Sequence, residues 1–198
     1  MNKVAITGGL SSGKSTVCQI FRELGAFVVS ADTMVHQLLS PQSPLAPRLI
    51  QLLGEGIRKG QIFDREEIAK RAFTDPETLK ELEKILHPAV LDEIERQYIQ
   101  IRDRHTHNLF IAEIPLLYEI ESHDLFDSVI VVDCDEKQAK SRFKKRSQHT
   151  EEEFDRRMSH QLPPSEKVAK ADHTIYNNGT LQELRTQAET LYAKLTQD

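Results

Sequence analysis

Five short apolar runs along the chain predict five β-strands, at residues 4–6, 27–30, 109–114, 129–132 and 174–176. Nearly continuous apolar runs of this length are typical of parallel strands that are covered on both faces. The segments between them carry apolar residues about every 3.6 positions, which is the helical period. Strands that alternate with helices predict an α/β fold with a five-stranded parallel sheet in three layers.

The longest stretch without strand signals, residues 33–105, is predicted to be a helical insertion between strands. Asp64 has the position of an N-cap, and Asp75-Pro76 opens a second helix, since proline is accepted in a first helical turn. His87-Pro88 is predicted to interrupt that second helix, because proline removes a backbone donor from a helix interior. The apolar pattern then continues towards Ile101.

Helical patterns return after the fourth predicted strand. Residues 136–147 form a helix rich in cations, and Thr150 opens a second helix that runs to about Gln161. Thr150-Glu151-Glu152-Glu153 matches a capping box, and Pro163-Pro164 ends the helix. Residues 180–196 are predicted to form a closing amphipathic helix.

The segment between the first strand and the first helix carries the clearest chemical signal. It reads Gly8-Gly9-Leu10-Ser11-Ser12-Gly13-Lys14-Ser15 and fits the G-x-x-x-x-G-K-[ST] pattern of the phosphate-binding P-loop. Glycines let backbone N–H groups turn towards the phosphates of a nucleoside triphosphate. Lys14 is expected to reach the β- and γ-phosphates, and the Ser15 hydroxyl to bind Mg²⁺. The alternative is a glycine-rich turn that binds nothing.

Composition narrows the possible partners and the compartment. A net charge of -5 over 198 residues argues against nucleic acid as the main partner. Cys18 and Cys134 are far apart in apolar surroundings, which indicates small buried hydrophobes in a reducing compartment. The chain contains no apolar run of the roughly 18 residues that a membrane span needs. The first strand begins so early that we expect no signal peptide and a cytoplasmic location.

Two carboxylates lie where parallel strands end, and this is the edge at which α/β proteins bind ligands. Asp32 follows the second strand and is expected to orient or deprotonate an acceptor hydroxyl; the alternative is an N-cap of the next helix. Glu113 lies inside an apolar strand near its carboxyl end, where a carboxylate is costly unless paired or close to a metal. We expect it in the Mg²⁺ shell, the alternative being an ion pair, such as one with Lys14.

The cationic helix and its successor have the character of a mobile lid. Arg142 and Arg146 are four residues apart and share a helix face, from which they could stabilise a transferring phosphoryl group. We expect little apolar packing in residues 136–165 and mobility without ligand. For most of the lysines, the alternative is a solvated cationic surface.

The chain resembles the dephospho-coenzyme A kinase family nearly from end to end. The residues that carry the resemblance are Thr7 to Thr16, Ser30-Ala31-Asp32, Phe63-Asp64-Arg65, Leu86-His87-Pro88, Glu113-Ile114-Pro115-Leu116-Leu117-Tyr118-Glu119, Gln138, Arg142, Arg146, Gln161, Ala171-Asp172, and Asn177 or Asn178 with Gly179. The order of these elements is more specific than any one of them. The chain departs from the family pattern at Ser11, Ser30 and Glu113, where the family usually has glycine, aspartate and aspartate.

The resemblance implies a P-loop NTPase fold in three parts. These are a nucleotide-binding core (1–32, 106–135 and 166–198), a helical acceptor domain (33–105) and a lid (136–165). It also implies the roles of the site residues, in three sets. Catalysis falls to Lys14, Asp32 and Arg142. Nucleotide binding falls to Gly8, Gly9, Ser11, Ser12, Gly13, Lys14, Ser15, Thr16, Arg146 and Asn177. Acceptor binding falls to Asp32, Arg65, His87, Pro115 and Leu116, with Ser15 and Glu113 on the metal.

The expected reaction is transfer of the ATP γ-phosphate to the ribose 3′-hydroxyl of 3′-dephospho-CoA, with ATP and Mg²⁺ as cofactors. The partners are then small molecules, with no nucleic acid or membrane, and the protein is a monomer or weak homo-oligomer. One alternative is a P-loop kinase of nucleoside monophosphates or small hydroxy acids. Another is a nucleotide-dependent switch, which the missing Asn-Lys-x-Asp motif disfavours. His87 is open to a structural role as well as to ligand contact.

Overall fold

A computed structural model describes residues 1–147 and 150–197, with the backbone alone for residues 146 and 147. The strands in that part of the chain are β1 (Asn2–Thr7), β2 (Phe27–Ser30), β3 (Arg58–Lys59), β4 (Ile62–Phe63), β5 (Leu109–Glu113), β6 (Ser128–Asp133) and β7 (His173–Tyr176). The α-helices are α1 (Lys14–Glu23), α2 (Ala31–Leu38), α3 (Ala46–Leu53), α4 (Arg65–Thr74), α5 (Pro76–Arg104), α6 (Glu136–Ser147), α7 (Glu151–Met158), α8 (Pro164–Lys170) and α9 (Leu181–Leu195).

Five of the strands form one parallel sheet in the order β2-β5-β1-β6-β7, which confirms the predicted α/β architecture. The central strand β1 pairs with β5 and β6. The loop after β1 therefore leaves the sheet at the carboxyl ends of the strands, midway across the sheet. Ile6 near the end of β1 lies opposite Glu113 at the end of β5, and Ser30 of β2 lies opposite the same residue. The parallel register therefore places the P-loop and Glu113 at one edge.

An apolar core joins the sheet to α1 and α9. Phe21 of α1 and Ala188 of α9 have no exposed surface, and both belong to the cluster that includes Val4 and Ile130 of the central strands. At about 25 cal/mol per Å² of apolar area, burial of each large side chain contributes roughly 1.5–3 kcal/mol. This packing anchors β1 in the core immediately before the P-loop.

The chain divides into two compact units. One comprises Met1–Ser30 and Tyr98–Asp198 and contains the five-stranded sheet; the other is Ala31–Gln97. The second unit has its own apolar cluster, in which Leu49 and Ile57 are fully buried. It is not entirely helical, because β3 and β4 form a small antiparallel hairpin around a turn at Gly60.

The prediction that His87-Pro88 interrupts a helix is wrong, because α5 runs through Pro88 without a break. Apolar side chains are buried on both sides of the proline, Ile85 and Leu86 before it and Val90 and Ile94 after it. Their burial outweighs the roughly 3 kcal/mol that an interior proline costs a helix.

One helix boundary and one whole helix also differ from the sequence prediction. α2 begins at Ala31, directly after β2, so Asp32 lies within the first helical turn and is not an N-cap. α8 follows Pro163 without having been predicted, since its short sequence lacks an apolar stripe and its fully buried residue is Lys167. Propensity patterns miss such a helix because tertiary contacts stabilise it.

The N-caps at Asp64 and Thr150 are confirmed, whereas the predicted capping box is not, because the Glu153 carboxylate pairs with Arg156 and Arg157. The Asp64 side chain accepts hydrogen bonds from the backbone N–H groups of Glu66 and Glu67 at 3.0 and 3.2 Å. Thr150 accepts from the Glu153 N–H at 3.3 Å. Among the described residues, no helix has the length and apolar character required to cross a bilayer.

Candidate active site

Backbone geometry shapes the P-loop between β1 and α1. Gly8 and Gly13 have φ values of 144° and 105°, which other residues rarely adopt. A Cβ atom on Gly8 would collide with the carbonyl oxygen of Val132, and one on Gly13 would collide with the Asn177 side-chain amide. Gly13 is the N-cap residue of α1. It has no side chain that could accept hydrogen bonds from the N–H groups of the first helical turn. The Gly13 carbonyl oxygen accepts from the N–H groups of Thr16 and Val17, so this terminus offers an anion the positive end of the helix dipole.

Ser11 is the non-glycine residue of the loop in the left-handed region, with φ of 57°. This is the position at which the family pattern usually has glycine. An L-residue in that conformation costs roughly 1–2 kcal/mol. The loop keeps its shape with serine, at the expense of local strain.

Ser11→Gly is expected to raise the free energy of unfolding by about 0.5–1 kcal/mol, because relief of strain exceeds the extra entropy of glycine in the unfolded chain. Urea denaturation measures this. Ser159, an exposed residue with φ of -64°, supplies the matched control: Ser159→Gly should destabilise the fold. Equal effects at the two positions would contradict the argument.

Lys14 lies folded into the P-loop. Its Nζ donates to the carbonyl oxygens of Gly8 and Gly9 at 3.0 and 2.8 Å, and the residue is 9% exposed. Both acceptors are neutral. Phosphate oxygens form stronger, charge-assisted hydrogen bonds with an ammonium group. Lys14 is thus held within the loop by contacts that an incoming phosphate can replace.

Ser15 and Glu113 form the candidate metal site. The Ser15 hydroxyl donates to Glu113 Oε1 at 3.1 Å, joining the start of α1 to the end of β5. The described residues contain no group of three or more His, Cys, Asp or Glu side chains that could hold a metal. Mg²⁺ in kinases is commonly bound by one or two protein ligands together with phosphates and water. A hydroxyl beside a single carboxylate fits that chemistry.

Cys18, one turn after Ser15, is buried and not disulfide-bonded. Burial, and secondarily the charge of Glu113, raise the pKa of its thiol. Cys134 is partly buried, and burial raises its pKa as well. Both therefore remain neutral thiols at physiological pH, in agreement with the expectation of small buried hydrophobes.

Arg142 of α6 is connected to the P-loop through Asn177. Its Nη2 donates to the Asn177 carbonyl oxygen at 2.9 Å and to Gln138 Oε1 at 3.0 Å. The Asn177 side-chain amide donates in turn to the carbonyl oxygen of Ser12 at 2.8 Å. The loop after β7 therefore connects α6 to the P-loop, and Asn177 itself is buried.

Two buried polar atoms next to this network have no hydrogen-bond partner among the described residues. They are Ser12 Oγ and Arg142 Nη1. An unpaired buried polar group is unfavourable by about 1–3 kcal/mol. A hydroxyl and a guanidinium N–H are donors, and phosphate oxygens are acceptors. The residues present thus fit a bound nucleotide.

A cavity of about 550 Å³ lies beside the P-loop. Gly9, Leu10 and Ser12 line one side, and Phe154 and Met158 of α7 line the other. Its volume lies in the range of small-molecule sites. The P-loop and the α6–α7 region thus enclose space for a ligand.

The expectation of little apolar packing in the lid is wrong. Phe143 of α6 and Phe154 of α7 are buried with ring centroids 5.6 Å apart, and Leu10 of the P-loop packs against their cluster. The side chain of Arg146 lies outside the described residues, so its predicted nucleotide contact stays a prediction. Lys140 and Lys144 pair with lid carboxylates, which favours the alternative of a surface role for these lysines.

The segment after β5 carries two predicted acceptor residues, Pro115 and Leu116, both partly exposed. The Pro115 carbonyl oxygen accepts from Thr7 Oγ1 at 3.1 Å and from the Lys167 ammonium at 3.0 Å. Lys167 could not be singled out from the sequence, because nothing in the pattern of a short polar helix indicates that one of its lysines is buried. Glu119, which pairs with it at 2.8 Å, was visible only as part of a motif.

The other predicted acceptor residues belong to the unit Ala31–Gln97. Asp32 and Arg65 are exposed there, and Arg65 Nη2 donates to the His36 carbonyl oxygen at 3.2 Å. His87 is partly buried in the middle of α5. Their roles in acceptor binding stay predictions.

The parallel sheet, the P-loop at its central strand and the Ser15–Glu113 contact define a P-loop nucleotide-binding protein of the α/β class. The family model for dephospho-CoA kinase matches residues 2–183. A dephospho-CoA kinase of Protochlamydia amoebophila is 46% identical over 98% of this chain and 97% of its own length. One of Chlamydia pneumoniae is 45% identical over 98% and 96%. This chain belongs to the dephospho-CoA kinase family.

Solved structures agree with this assignment. A crystal structure from Thermus thermophilus superposes with a TM-score of 0.81 at 30% identity, over 98% of this chain and 97% of that one. The dephospho-CoA kinase from Campylobacter jejuni superposes with a TM-score of 0.73 at 26% identity, over 98% and 96%. The similarity extends over the full length of the chain.

Proposed function

We propose that this protein transfers the γ-phosphate of ATP to the ribose 3′-hydroxyl of 3′-dephospho-CoA, giving CoA and ADP. The phosphoryl-transfer chemistry is supported by Lys14 and Ser15, whose contacts within the P-loop leave a donor set for phosphates and a hydroxyl–carboxylate pair for a metal. The choice of acceptor rests on membership of the family.

In the proposed reaction, Lys14 exchanges the carbonyls of Gly8 and Gly9 for phosphate oxygens, where it stabilises the charge that develops in the transition state. Ser15 and Glu113 would hold Mg²⁺, which would supply further positive charge to the phosphates. Arg142 directs its unpaired Nη1 donor at a phosphate oxygen. Phosphoryl transfer passes through a loose transition state, so an enzyme accelerates it mainly by positioning the reactants and stabilising charge, with little covalent catalysis.

Asp32 is proposed to orient the acceptor hydroxyl and take its proton. Asp32 is exposed and lies two residues after the end of β2. Arg65 and His87 are proposed to bind the acceptor, together with Pro115 and Leu116. The remaining P-loop residues and Thr16 are proposed to bind the nucleotide through backbone N–H groups and the helix N-terminus, with Asn177 and Arg146 beside them.

The acceptor is tested by measuring phosphorylated product from ATP with dephospho-CoA, AMP, CMP and shikimate. We expect kcat/KM for dephospho-CoA to exceed that for each other acceptor by about 10³ or more, because a site built for a large ligand leaves polar groups unpaired with a small one. A preference for a nucleoside monophosphate or for shikimate would reject this acceptor and retain the kinase.

We further propose that the enzyme works in the cytoplasm as a monomer or weak homo-oligomer. The proposed catalytic groups all come from one chain, so no partner subunit is needed to complete the site. Light scattering over a range of protein concentrations measures the mass, which we expect to stay near that of one 22.7 kDa chain at low concentration.

Amide hydrogen exchange tests the proposed closure of the lid. We expect protection to rise in residues 136–165 and in the P-loop when ATP and dephospho-CoA are both bound, since closure excludes water from the phosphates. α9 provides the internal control, because its packing against α1 should leave exchange unchanged. Unchanged exchange across 136–165 with both ligands bound would identify these helices as a fixed surface.

A further inference from the structure

A buried ion pair lies beyond the residues assigned so far. Lys167 of α8 has no exposed surface, although lysine is among the residues least often fully buried. Its Nζ lies 2.8 Å from Glu119 Oε1 and 3.0 Å from the carbonyl oxygen of Pro115. Both acceptors belong to the segment that follows β5.

Glu119 connects this pair to the end of the lid. The same Oε1 atom accepts a hydrogen bond from the backbone N–H of Leu162 at 2.8 Å. Leu162 lies between α7 and Pro163-Pro164, where the chain leaves the lid and enters α8. The second oxygen, Oε2, is buried and has no partner in the described ranges. A single carboxylate thus holds the lid exit and the first turn of α8.

Pro115 connects the pair to the catalytic edge of the sheet. Its carbonyl oxygen also accepts from the Thr7 hydroxyl at 3.1 Å, and Thr7 is the last residue of β1 before the P-loop. Glu113 lies two residues upstream of Pro115. Lys167 and Glu119 therefore join three segments: the start of the P-loop, the end of β5 and the exit of the lid.

Stability alone does not account for such a pair. Desolvation of two charges offsets most of their attraction, and well-packed apolar residues in place of a buried pair are often as stable or more stable. A buried pair can instead select one arrangement among several, because any other leaves a charge unpaired. In this chain, the selected arrangement is the position of residues 162–163 relative to the P-loop edge.

We propose that Glu119 and Lys167 are positioning residues that form the fixed pivot of the lid. The pair keeps residues 162–163 in place while α6 and α7 close over the P-loop. Closure then brings the hydrogen-bond donors of the lid, such as Arg142, onto the phosphates in a single arrangement and excludes water. Without the pair, the lid can close in other positions, and these let water reach the γ-phosphate. This inference rests on the proposed kinase function and adds a residue pair that controls its fidelity.

The test compares ADP released with CoA formed, since this ratio reports water as a competing acceptor. Lys167→Met alone leaves the Glu119 carboxylate, whose side chain is 15% exposed, without its ammonium partner, and is expected to lower the thermal midpoint by about 10 °C. The double variant Lys167→Met, Glu119→Met removes both charges and is expected to recover a midpoint near that of the wild type. Its ADP-to-CoA ratio should nevertheless rise about 3- to 10-fold.

A matched control is available in the same unit. Arg185 of α9 pairs with Glu23 of α1 at 2.8 Å, on the surface and away from the lid. Arg185→Met should leave the ratio unchanged. A double variant with wild-type turnover and ratio would show that Lys167 and Glu119 act in stability alone, and would overturn the proposal.

Glu119→Gln keeps the proposal testable if the double variant does not fold. It retains the shape of the side chain and removes its charge, so the Leu162 amide should exchange faster and the ratio should rise. A folded Glu119→Gln variant with a wild-type ratio also overturns the proposal. ATP hydrolysis without acceptor gives the same comparison. If dephospho-CoA were not the acceptor, the wild type would form no CoA, whereas the contrast in hydrolysis would remain.

Discussion

Lys14→Ala is expected to lower turnover with ATP and dephospho-CoA by about 100-fold or more, the usual effect of removing one preorganised electrostatic contact. The ammonium is buried in the P-loop on the carbonyls of Gly8 and Gly9, within reach of the phosphates that would displace those contacts. The loss should fall mainly on kcat, because the charge interacts most strongly with the transition state. Steady-state kinetics with both substrates measure it.

The same variant separates catalysis from folding. Loss of the two hydrogen bonds should lower the free energy of unfolding of the ligand-free protein by about 1–2 kcal/mol. Lys194→Ala, at an exposed position of α9, is the control and should change neither quantity. Near-normal turnover of Lys14→Ala would remove the P-loop from the mechanism.

Asp32→Asn is expected to lower turnover by about 10²–10⁴ while leaving ATP affinity within a few-fold of wild type, as for loss of a general base. The substitution keeps the size of the side chain and removes the basic oxygen. Because Asp32 lies within the first turn of α2, a purely structural role would be an interaction with the helix dipole, worth about 0.3–1 kcal/mol. Turnover and isothermal titration with ATP distinguish the two roles.

Glu77 supplies the matched control for Asp32. It is an exposed carboxylate in the first turn of α5, so Glu77→Gln removes the same helix-dipole interaction without the proposed chemistry. We expect this variant to keep wild-type turnover. If Asp32→Asn behaved like Glu77→Gln, the assignment of Asp32 as the acceptor base would be rejected.

Local chemistry made much of the fold predictable from the sequence. The five strands, the caps at Asp64 and Thr150 and the P-loop depend on residues that are close in sequence, so their patterns can be read directly. Pro88 shows the limit of such patterns. A proline in a helix reads as a break, yet burial of Ile85 and Val90 on either side of it keeps α5 continuous.

The amino-acid sequence by itself determined the strand–loop–helix motif, the residues proposed to bind phosphate and, through its resemblance to a family, the class of reaction. Only the tertiary structure decided which distant groups meet. The Ser15–Glu113 contact, the Arg142–Asn177–Ser12 chain and the Glu119–Lys167 pair each join segments separated by 35 or more positions. No local pattern carries them, because the strand order β2-β5-β1-β6-β7 and the burial of Lys167 bring these side chains together.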